Sequence, residues 1–481
     1  MKNVNNIKVL FYHSTKEFDE KEWDLIVDEN SVLNSYGYQS AIELSNINNF
    51  KYGYFLFYKE NELIAHVSTG ILEFDLDMMA GQIIKNITKI IRKIFPNFMK
   101  MKVIECGHPT ALGNTIVLKS KEYRDDVLEI LNDSLKSLAR KEKTSLIGIR
   151  DFYTNELNDY NKLKKLGYKI FQNMPNTFIK INYKNFDEYL LDLTSKRRYE
   201  IKKHLIDFYN GECVVEKITD FTEISDKLYE LWYNTYKHSK EYQREFLNKE
   251  YFYNISKNLN DKSFVIIAKH NEEIIGFTML IDSGSTLIST YCGLDYQYNK
   301  IFNTYFVLFY KSIEEAINLN KDLLELGITN YNPKIEIGAI PEPTFVYGKS
   351  TNFITNLYFV PLMRIFNTPP DFNKRSIFNK RHFERYDVKN RIFASDGNNN
   401  FLIKDISLNG IGVESESVIK VGTNLKLELK IPNEFSILIK VKVKNVFKED
   451  QRYKIGLIIK KVNREYYLHF QNLVQIYDSF S

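Results

Sequence analysis

The stretch Arg381-His382-Phe383-Glu384-Arg385 is followed about twenty residues later by Asp405-Ile406-Ser407-Leu408-Asn409-Gly410. An arginine guanidinium presents a planar fork of N–H donors that matches phosphate oxygens and the O6 and N7 edge of guanine. An aspartate accepts hydrogen bonds from the other edge of guanine, and a serine hydroxyl can bond a phosphate or a base. Glycine permits a turn or a close backbone approach. Together the two stretches suit a ligand that contains both guanines and phosphates.

The spacing of these residues resembles that of the PilZ domain, the bacterial receptor for cyclic di-GMP. The family pattern is a pair of arginines four residues apart and then Asp/Asn-x-Ser-x-x-Gly, and every key position is present here. The likeness covers roughly residues 375–481. It implies cyclic di-GMP as the ligand, with phosphate or guanine contacts from Arg381 and Arg385. It also implies that the guanine is held from the barrel side by Asp405 and Ser407, beside a structural Gly410.

The distribution of charge agrees with a small anionic ligand. The formal net charge is +5, from 66 basic and 61 acidic residues. Between Lys374 and Arg391 there are seven basic and two acidic residues, so this short segment accounts for the whole excess. A local basic segment in an otherwise balanced chain predicts a local anionic partner rather than DNA.

The cysteines and histidines give no sign of a disulfide framework or a metal site. Cys106, Cys213 and Cys292 are odd in number and far apart, and the eight histidines are scattered. Neither residue type has zinc-ligand spacing. We expect a cytoplasmic protein, since no signal peptide or run of about 20 apolar residues is found.

The first 365 residues predict two mixed α/β units that repeat one plan. Residues 54–67 form a predicted hairpin around Lys59-Glu60-Asn61-Glu62, and residues 264–280 form another around Lys269-His270-Asn271-Glu272, an offset of 210 residues. Cys106-Gly107 and Cys292-Gly293 follow in the two copies. This pattern favours an internal duplication. The alternative is a coincidence of common hairpin turns.

These tandem units resemble GNAT-fold acyltransferases of the Fem type, which join aminoacyl or acyl groups to amines. The likeness rests on 195–203, on Cys292-Gly293-Leu294-Asp295 and on 327–338, where Gly, Tyr, Lys and a second Gly recur in relatives at such spacing. It implies Lys334 as a phosphate or oxyanion contact, Tyr331 as a proton donor and Asp295 as a general base. It also suggests Arg197 and Arg198 as contacts to a donor phosphate. The alternatives are a surface lysine at 334 and a solvated helix face at 197–203.

The acyl donor is left open by the sequence. The glycine-rich turn with which GNAT enzymes usually bind the pyrophosphate of acetyl-CoA is absent after either central strand, and 107–113 does not match it. Fem-type relatives also lack this turn, and some use aminoacyl-tRNA. The absence therefore argues against ordinary use of acetyl-CoA more than against transfer, and the candidate donors are an acyl-CoA or an aminoacyl-tRNA.

Residues 83–93 form a basic amphipathic stretch. Apolar residues recur at helical spacing, and the intervening positions include Lys85, Lys89, Arg92 and Lys93. The pattern favours an ordinary helix that buries its apolar face. The alternative is peripheral contact with a membrane surface.

The predicted fold class is α+β and multidomain. Two GNAT-like units span 1–185 and 186–365, a linker with Pro369-Pro370 spans 366–380, and a small antiparallel PilZ β-barrel with a C-terminal helix spans 381–481. The predicted function is cyclic di-GMP binding joined to transfer of an acyl or aminoacyl group to an amine, with the acceptor unknown. The alternative is a non-catalytic cyclic di-GMP effector whose GNAT-like region is a protein-interaction surface.

Overall fold

The computed structural model describes residues 6–75, 82–96, 98, 100–239, 245–352, 386–388, 392–407, 410–431, 435–449 and 452–460. The chain divides into two compact units, Met1–Ile377 and Phe378–Ser481. The predicted linker at 366–380, both arginines of the opening motif and the predicted terminal helix lie outside the described residues.

The first unit contains two sheets. The first sheet has the order β1-β2-β3-β4-β6-β15-β7, with β5 beside β3. Only β4 and β6 are parallel neighbours. Its strands are β1 (Ile7–Tyr12), β2 (Lys51–Lys59), β3 (Glu62–Asp75), β4 (Lys100–Cys106), β5 (Ile116–Leu118), β6 (Leu146–Tyr153), β7 (Lys169–Gln172) and β15 (Thr344–Ser350).

The second sheet repeats this arrangement. Its order is β14-β8-β13-β12-β11-β10-β9, and only β12 and β13 are parallel neighbours. Its strands are β8 (Asn176–Lys180), β9 (Cys213–Ile218), β10 (Ser263–His270), β11 (Glu273–Ser283), β12 (Thr286–Leu294), β13 (Leu323–Gly327) and β14 (Ile340–Glu342).

A parallel pair requires a crossover connection, and a long helix lies within that connection in each sheet. The first is α4 (Arg124–Lys141) and the second is α11 (Thr304–Asn318), both with a buried apolar stripe. The remaining helices are α1 (Glu20–Asp24), α2 (Tyr36–Ser45), α3 (Gln82–Ile91), α5 (Asn161–Lys165), α6 (Phe186–Asp192), α7 (Ser195–Asn210), α8 (Ser225–His238), α9 (Lys249–Leu259), α10 (Tyr296–Phe302) and α12 (Tyr331–Glu336).

The two sheets each take one strand from the other half of the chain. β8 precedes residue 185 but pairs with β13 of the second sheet, where Ile179 is opposite Leu324. β15 lies near residue 350 but pairs with β6 of the first sheet, where Gly348 is opposite Gly148. The limits 1–185 and 186–365 therefore describe a repeat along the sequence, while the sheets are interlocked by this exchange.

The two predicted hairpins have the same turn. Glu60 and Asn61 have φ of 51° and 68°, and Asn271 and Glu272 have φ of 48° and 64°. Two consecutive positive φ angles in a two-residue loop are the signature of a type I′ turn, which matches the twist of the strands. A β-bulge follows Phe57 in one hairpin and Ala268 in the other. Both features align at an offset of 211 residues, one more than predicted, and support the duplication.

The second unit is the predicted antiparallel barrel. It closes through the pairings β18-β17-β20-β21-β22-β19-β18, with β16 beside β18. Alternating side chains such as Ile403, Leu427 and Val441 fill its interior. Its strands are β16 (Tyr386–Asp387), β17 (Phe393–Ser395), β18 (Asn400–Ser407), β19 (Gly410–Ser415), β20 (Asn424–Ile431), β21 (Phe435–Glu449) and β22 (Arg452–Ile459).

A bulge in β18 changes the face of the barrel on which Asp405 lies. Strict alternation places Asp405 on the same face as Phe401 and Ile403. The structure has a register shift between Ile403 and Asp405, and Ile406 rather than Asp405 enters the core. The extra residue turns the Asp405 side chain to the outer face of the barrel, where a ligand can reach it.

The helix predicted at 83–93 forms, but the favoured interpretation, a buried apolar face, was wrong for three of its isoleucines. α3 spans Gln82–Ile91, and Ile87, Ile90 and Ile94 are exposed rather than buried. None of the helices in the described part of the chain is long and apolar enough to cross a membrane.

Two histidines are buried in the first unit and predict acid sensitivity. Burial lowers the pKa of His66 and of His108 from 6.5 to about 3. His66 also stacks on Trp23. The unfolded chain binds these protons below pH 6.5 and the folded chain does not, so the free energy of unfolding falls as the pH falls from 6.5 toward 3.

We expect His66→Phe, which keeps the stacking, to reduce this slope by up to about 1.4 kcal/mol per pH unit. Urea unfolding at a series of pH values measures it. His13→Phe, at an exposed position, is the control. Equal slopes in wild type and His66→Phe would contradict the prediction.

Candidate active site and ligand site

An open cleft of about 370 Å³ lies between the two sheets of the first unit. One wall comes from β4, β6, β7 and β15, and the other from β12, β13 and α8. Each sheet thus contributes its central parallel pair. An open groove lined by Tyr331 and Lys334 would favour an enzyme, and neither residue is among those that line this cleft.

The described lining of the cleft is acidic. Its charged residues are Glu105, Glu245, Glu325 and Arg150, three carboxyl groups against one guanidinium. Arg150 is already paired inside the protein, since its Nε contacts Glu105 and its Nη1 lies 2.9 Å from Asp151 Oδ2. Among the described lining residues, the cleft therefore favours a cation over an anion.

Arg150 and Asp151 organise the loop at the edge of the cleft. The Nη2 of Arg150 donates to the backbone carbonyls of His108 and Ala111. The Oδ2 of Asp151 accepts a hydrogen bond from the backbone N–H of Gly113 at 3.2 Å. Asp151 has φ of 68°, a left-handed conformation that is strained for a residue with a side chain. Such strain is maintained only where the surroundings fix it, and it is concentrated at functional sites.

Glu325 is the carboxyl group with the most unusual environment. It lies on β13, lines the cleft and is 8% exposed. Burial raises its pKa to about 7, and the neighbouring Asp151 carboxylate adds to the rise. A hydrogen bond from Asn176 and the Lys334 ammonium act in the opposite direction. A carboxyl group that titrates near neutrality is suited to act as a general base or acid.

Asn176 and Lys334 are the two neighbours that lower the pKa of Glu325. Asn176 Nδ2 donates to the Tyr153 hydroxyl at 3.0 Å, and the Asn176 backbone lies on β8, the exchanged strand next to β13. Lys334 is buried on α12 and its Nζ lies beside Gly327 at the end of β13. The strand exchange therefore places Asn176 next to the carboxyl group, and α12, which follows β13 in the chain, brings Lys334.

The three catalytic candidates predicted from the sequence differ in the contacts that they make in the structure. Lys334 is buried, so its interpretation as a surface lysine was wrong. It stands behind the wall of the cleft, close enough to influence Glu325 and Cys292. The Tyr331 hydroxyl donates to the Pro175 carbonyl at 2.8 Å. Asp295 caps the N-terminus of α10, accepting from the Gln297 N–H at 2.8 Å.

The two predicted phosphate contacts both bond within the protein. Arg197 lies 2.6 Å from Glu200 and 3.0 Å from Glu336, linking α7 to α12. Arg198 donates to the Leu191 carbonyl at 3.1 Å. Neither of them, nor Tyr331, Lys334 or Asp295, is among the residues that line the cleft.

Sequence reasoning missed Glu325, Glu105 and the Arg150–Asp151 pair. One signal was available for Glu325, because a lone acidic residue interrupts the apolar strand Leu323-Leu324-Glu325-Leu326. Such a residue in a buried strand needs an explanation. Asp151 had no such signal, since its strain depends on a bulge that only the pairing with β15 creates.

The ligand site predicted on the barrel is built around two glycines. Asp405 is opposite Gly412 on β19, and Gly412 is opposite Gly456 on β22. The Asp405 carboxylate lies over Gly412, where an added Cβ would be 2.5 Å from Oδ2. The Asn445 amide lies over Gly456 in the same way. These four residues lie side by side across four strands on the outer face of the barrel. The two glycines are in the middle, and the Asp405 carboxylate and the Asn445 amide provide a hydrogen-bond acceptor at each end.

Ser407 and Gly410 end β18 and begin β19. They are opposite each other, and the Ser407 hydroxyl donates to the Gly410 carbonyl at 2.9 Å. A Cβ at Gly410 would lie 3.0 Å from the Leu457 carbonyl oxygen, which explains glycine here by close approach. Leu408 and Asn409, between them, lie outside the described residues.

Two family models match the chain. The FemAB-like family, described as peptidoglycan biosynthesis and recognition, matches residues 14–352. The PilZ domain matches residues 379–475. The first match covers the two interlocked sheets and the second covers the barrel with the opening motif.

The curated relatives have a different length. The chain is 27% identical over 318 residues to the putative 8-amino-7-oxononanoate synthase 2 of Mycobacterium tuberculosis, in the strains CDC 1551 / Oshkosh and ATCC 25618 / H37Rv. The match covers 65% of this chain and 41% of each relative, so the chain spans about two fifths of the length of these proteins.

Solved structures resemble each part of the chain. FemX has a TM-score of 0.47 at 13% identity, covering 73% of this chain and 100% of FemX. A tandem GNAT protein from the clavulanic acid biosynthesis pathway has a TM-score of 0.41 at 9% identity, covering 72% of this chain and 99% of that protein. The PilZ domain of YcgR from Escherichia coli, solved with c-di-GMP, has a TM-score of 0.19 at 12% identity, covering 21% of this chain and 93% of that domain. Since the FemAB-like model spans well over half of the sequence, the chain belongs to the FemAB-like family, and it carries a PilZ domain in its C-terminal part.

Proposed function

We propose that this protein binds cyclic di-GMP through its PilZ domain and transfers an acyl or aminoacyl group to an amine in the cleft of its FemAB-like region. The observation that carries the transferase half is the buried Glu325 carboxyl group in an acidic cleft between the two sheets. The receptor half is supported by Asp405, which the bulge in β18 turns to the outer face of the barrel.

The acidic lining fits the amine acceptor better than the donor. An amine is a cation at neutral pH, and Glu105, Glu245 and Glu325 would attract it. A donor phosphate would be repelled by the same groups. We therefore assign the cleft at Glu325 to the acceptor and place the activated carbonyl next to it.

In the proposed step Glu325 receives one proton from the amine and returns it to the leaving group, so its carboxylate is regenerated. The acceptor enters as an ammonium and loses one proton to solvent, and the neutral amine nitrogen then attacks the donor carbonyl carbon. As the C–N bond forms, the Glu325 carboxylate takes a proton from that nitrogen. The bond to the leaving group then breaks, the leaving group keeps the electron pair, and the proton passes from Glu325 to it. Lys334, behind Glu325, stabilises the ionised form of the carboxyl group.

The cyclic di-GMP site takes contributions from two segments. Asp405 and Ser407 hold a guanine from the barrel, and Arg381 and Arg385 bind phosphate or guanine from the segment that follows the linker. Because the arginines adjoin the linker, ligand binding would restrict the linker. The ligand can shift the equilibrium between two states of the linker by no more than the difference in its binding free energy for them.

One experiment tests each half. Calorimetric titration of the full chain with cyclic di-GMP should give saturable binding, and absence of heat at high micromolar ligand would exclude the receptor. Incubation with acyl-CoA or aminoacyl-tRNA and a panel of amines, followed by mass spectrometry, tests the transferase. Mass spectrometry of small molecules that co-purify with the protein narrows that panel. No amide product with any donor would favour a non-catalytic effector.

Asp405 gives a graded prediction for the receptor. We expect Asp405→Ala to weaken cyclic di-GMP binding about tenfold, since a buried guanine donor loses its acceptor. Asp405→Asn keeps one acceptor oxygen and should lie between the alanine variant and wild type. Calorimetry measures both, and Asp396→Ala, in a loop of the same barrel, is the control. Identical affinity for Asp405→Ala and wild type would remove Asp405 from the site.

A further inference from the structure

Helix α3 and the turn after it present apolar side chains to solvent. Ile87, Ile90 and Ile94 are 51%, 65% and 76% exposed and share one helix face, being three and four residues apart. Phe95 and Phe98 in the turn are also exposed. An isolated exposed apolar residue needs no explanation, but a contiguous group of five marks an interaction surface.

The fold holds this surface in one shape. Thr88 is buried, so one edge of the helix rests on the protein. The turn is closed by a hydrogen bond from the Phe98 N–H to the Phe95 carbonyl at 2.9 Å. Arg92 Nε donates to the Phe98 carbonyl at 2.9 Å and fixes the turn against the helix. The isoleucines and phenylalanines are therefore displayed by an ordered element.

The charge around this surface has one sign. Residues 82–100 include five basic residues and no acidic one. At about 100° per residue, Lys89, Arg92 and Lys93 fall on the half of the helix away from Ile87. An apolar face bordered by cations is the arrangement of helices that lie in the interface of an anionic bilayer. Nucleic acid would meet the cations but leave the isoleucines exposed.

We propose that α3 and its turn bind the surface of an anionic phospholipid bilayer. The isoleucines and Phe95 would enter the boundary between headgroups and acyl chains, and the lysines would meet the phosphates. This proposal is independent of catalysis and of cyclic di-GMP binding. It places the FemAB-like region at a membrane surface.

Vesicle sedimentation with the full chain tests the proposal. The protein should pellet with vesicles of phosphatidylcholine and phosphatidylglycerol, and far less with phosphatidylcholine alone. Ile87→Asp/Ile90→Asp should abolish pelleting, and Lys89→Gln/Lys93→Gln should weaken it about tenfold or more. Leu25→Asp changes an exposed leucine elsewhere in the same unit, and this variant should bind the vesicles like wild type. Circular dichroism verifies that each variant is folded.

Two results would overturn the proposal. One is a vesicle assay in which the helix has no effect, either because wild type does not bind the anionic vesicles or because Ile87→Asp/Ile90→Asp binds them equally well. The other is a wild-type dimer in light scattering that Ile87→Asp/Ile90→Asp separates while vesicle binding stays unchanged. The second result would assign the surface to another copy of the chain.

Discussion

Glu325→Gln is expected to lower the rate of amide formation by about 10²- to 10⁴-fold, the range for loss of a general base. The glutamine is nearly isosteric and keeps a carbonyl oxygen that can accept the Asn176 hydrogen bond. Binding of the amine should weaken less than the rate falls, since Glu105 and Glu245 remain in the cleft. Single-turnover assays by mass spectrometry separate the two effects.

The pH profile provides a second measurement of the same group. Glu325 must be ionised to accept a proton, and burial raises its pKa to about 7. The rate for wild type, divided by the fraction of acceptor amine that is neutral at each pH, should therefore rise with pH up to about 7 and then level off. The glutamine variant should keep a low rate with no inflection at that pH.

The stability of Glu325→Gln should change in the opposite direction to its activity. The unfolded chain loses the Glu325 proton near pH 4.5 and the folded chain near 7. The folded state of wild type therefore loses stability between those values as the pH rises, by up to about 3 kcal/mol. Glutamine does not titrate, so the variant should equal wild type below pH 4.5 and exceed it above pH 7. Urea unfolding at pH 4.5 and 8 measures the difference.

The matched control is Glu342→Gln, at an exposed position on β14 of the same sheet. It should change neither the rate nor the pH dependence of stability. A fully active Glu325→Gln variant would remove Glu325 from catalysis. A variant that is inactive and also less stable at pH 8 would instead indicate a purely structural role.

Local patterns predicted the parts of the fold that depend on neighbours in sequence. The type I′ hairpins follow from polar turns between apolar runs, and the barrel follows from period-2 alternation after 400. The exchange of β8 and β15 could not be predicted in this way. It depends on pairings such as Ile179 with Leu324, which join residues far apart in the sequence.

The same dependence on distant residues explains why the ligand site was predicted and the cleft was not. Asp405 was recognised because the PilZ motif is short and continuous, although the bulge that turns it outward was not. The cleft was missed because Glu105, Arg150 and Glu325 come from three strands that only the two sheets bring together. The apolar face of α3 had the correct helical spacing, but spacing alone does not indicate whether another element covers the face.

Arg381→Ala is expected to weaken cyclic di-GMP binding by about 2 kcal/mol, or about thirtyfold in Kd. Removing a guanidinium leaves a phosphate or guanine acceptor of the ligand without its bidentate partner. Lysine at the same position keeps the charge but not the planar fork, so Arg381→Lys should recover only part of the loss. Arg385→Ala should resemble Arg381→Ala if the two arginines bind one ligand.

Calorimetric titration of the full chain at two salt concentrations distinguishes a specific contact from general electrostatic attraction. Arg375→Ala removes the same charge from the same basic segment and should cost less than about 1 kcal/mol, an effect that added salt screens. The loss for Arg381→Ala should persist in high salt, because a desolvated hydrogen bond is screened less than an exposed charge. Equal losses for the two variants would mean that the segment attracts the ligand only by its net charge, and the arginine pair would then no longer distinguish this site from any other basic linker.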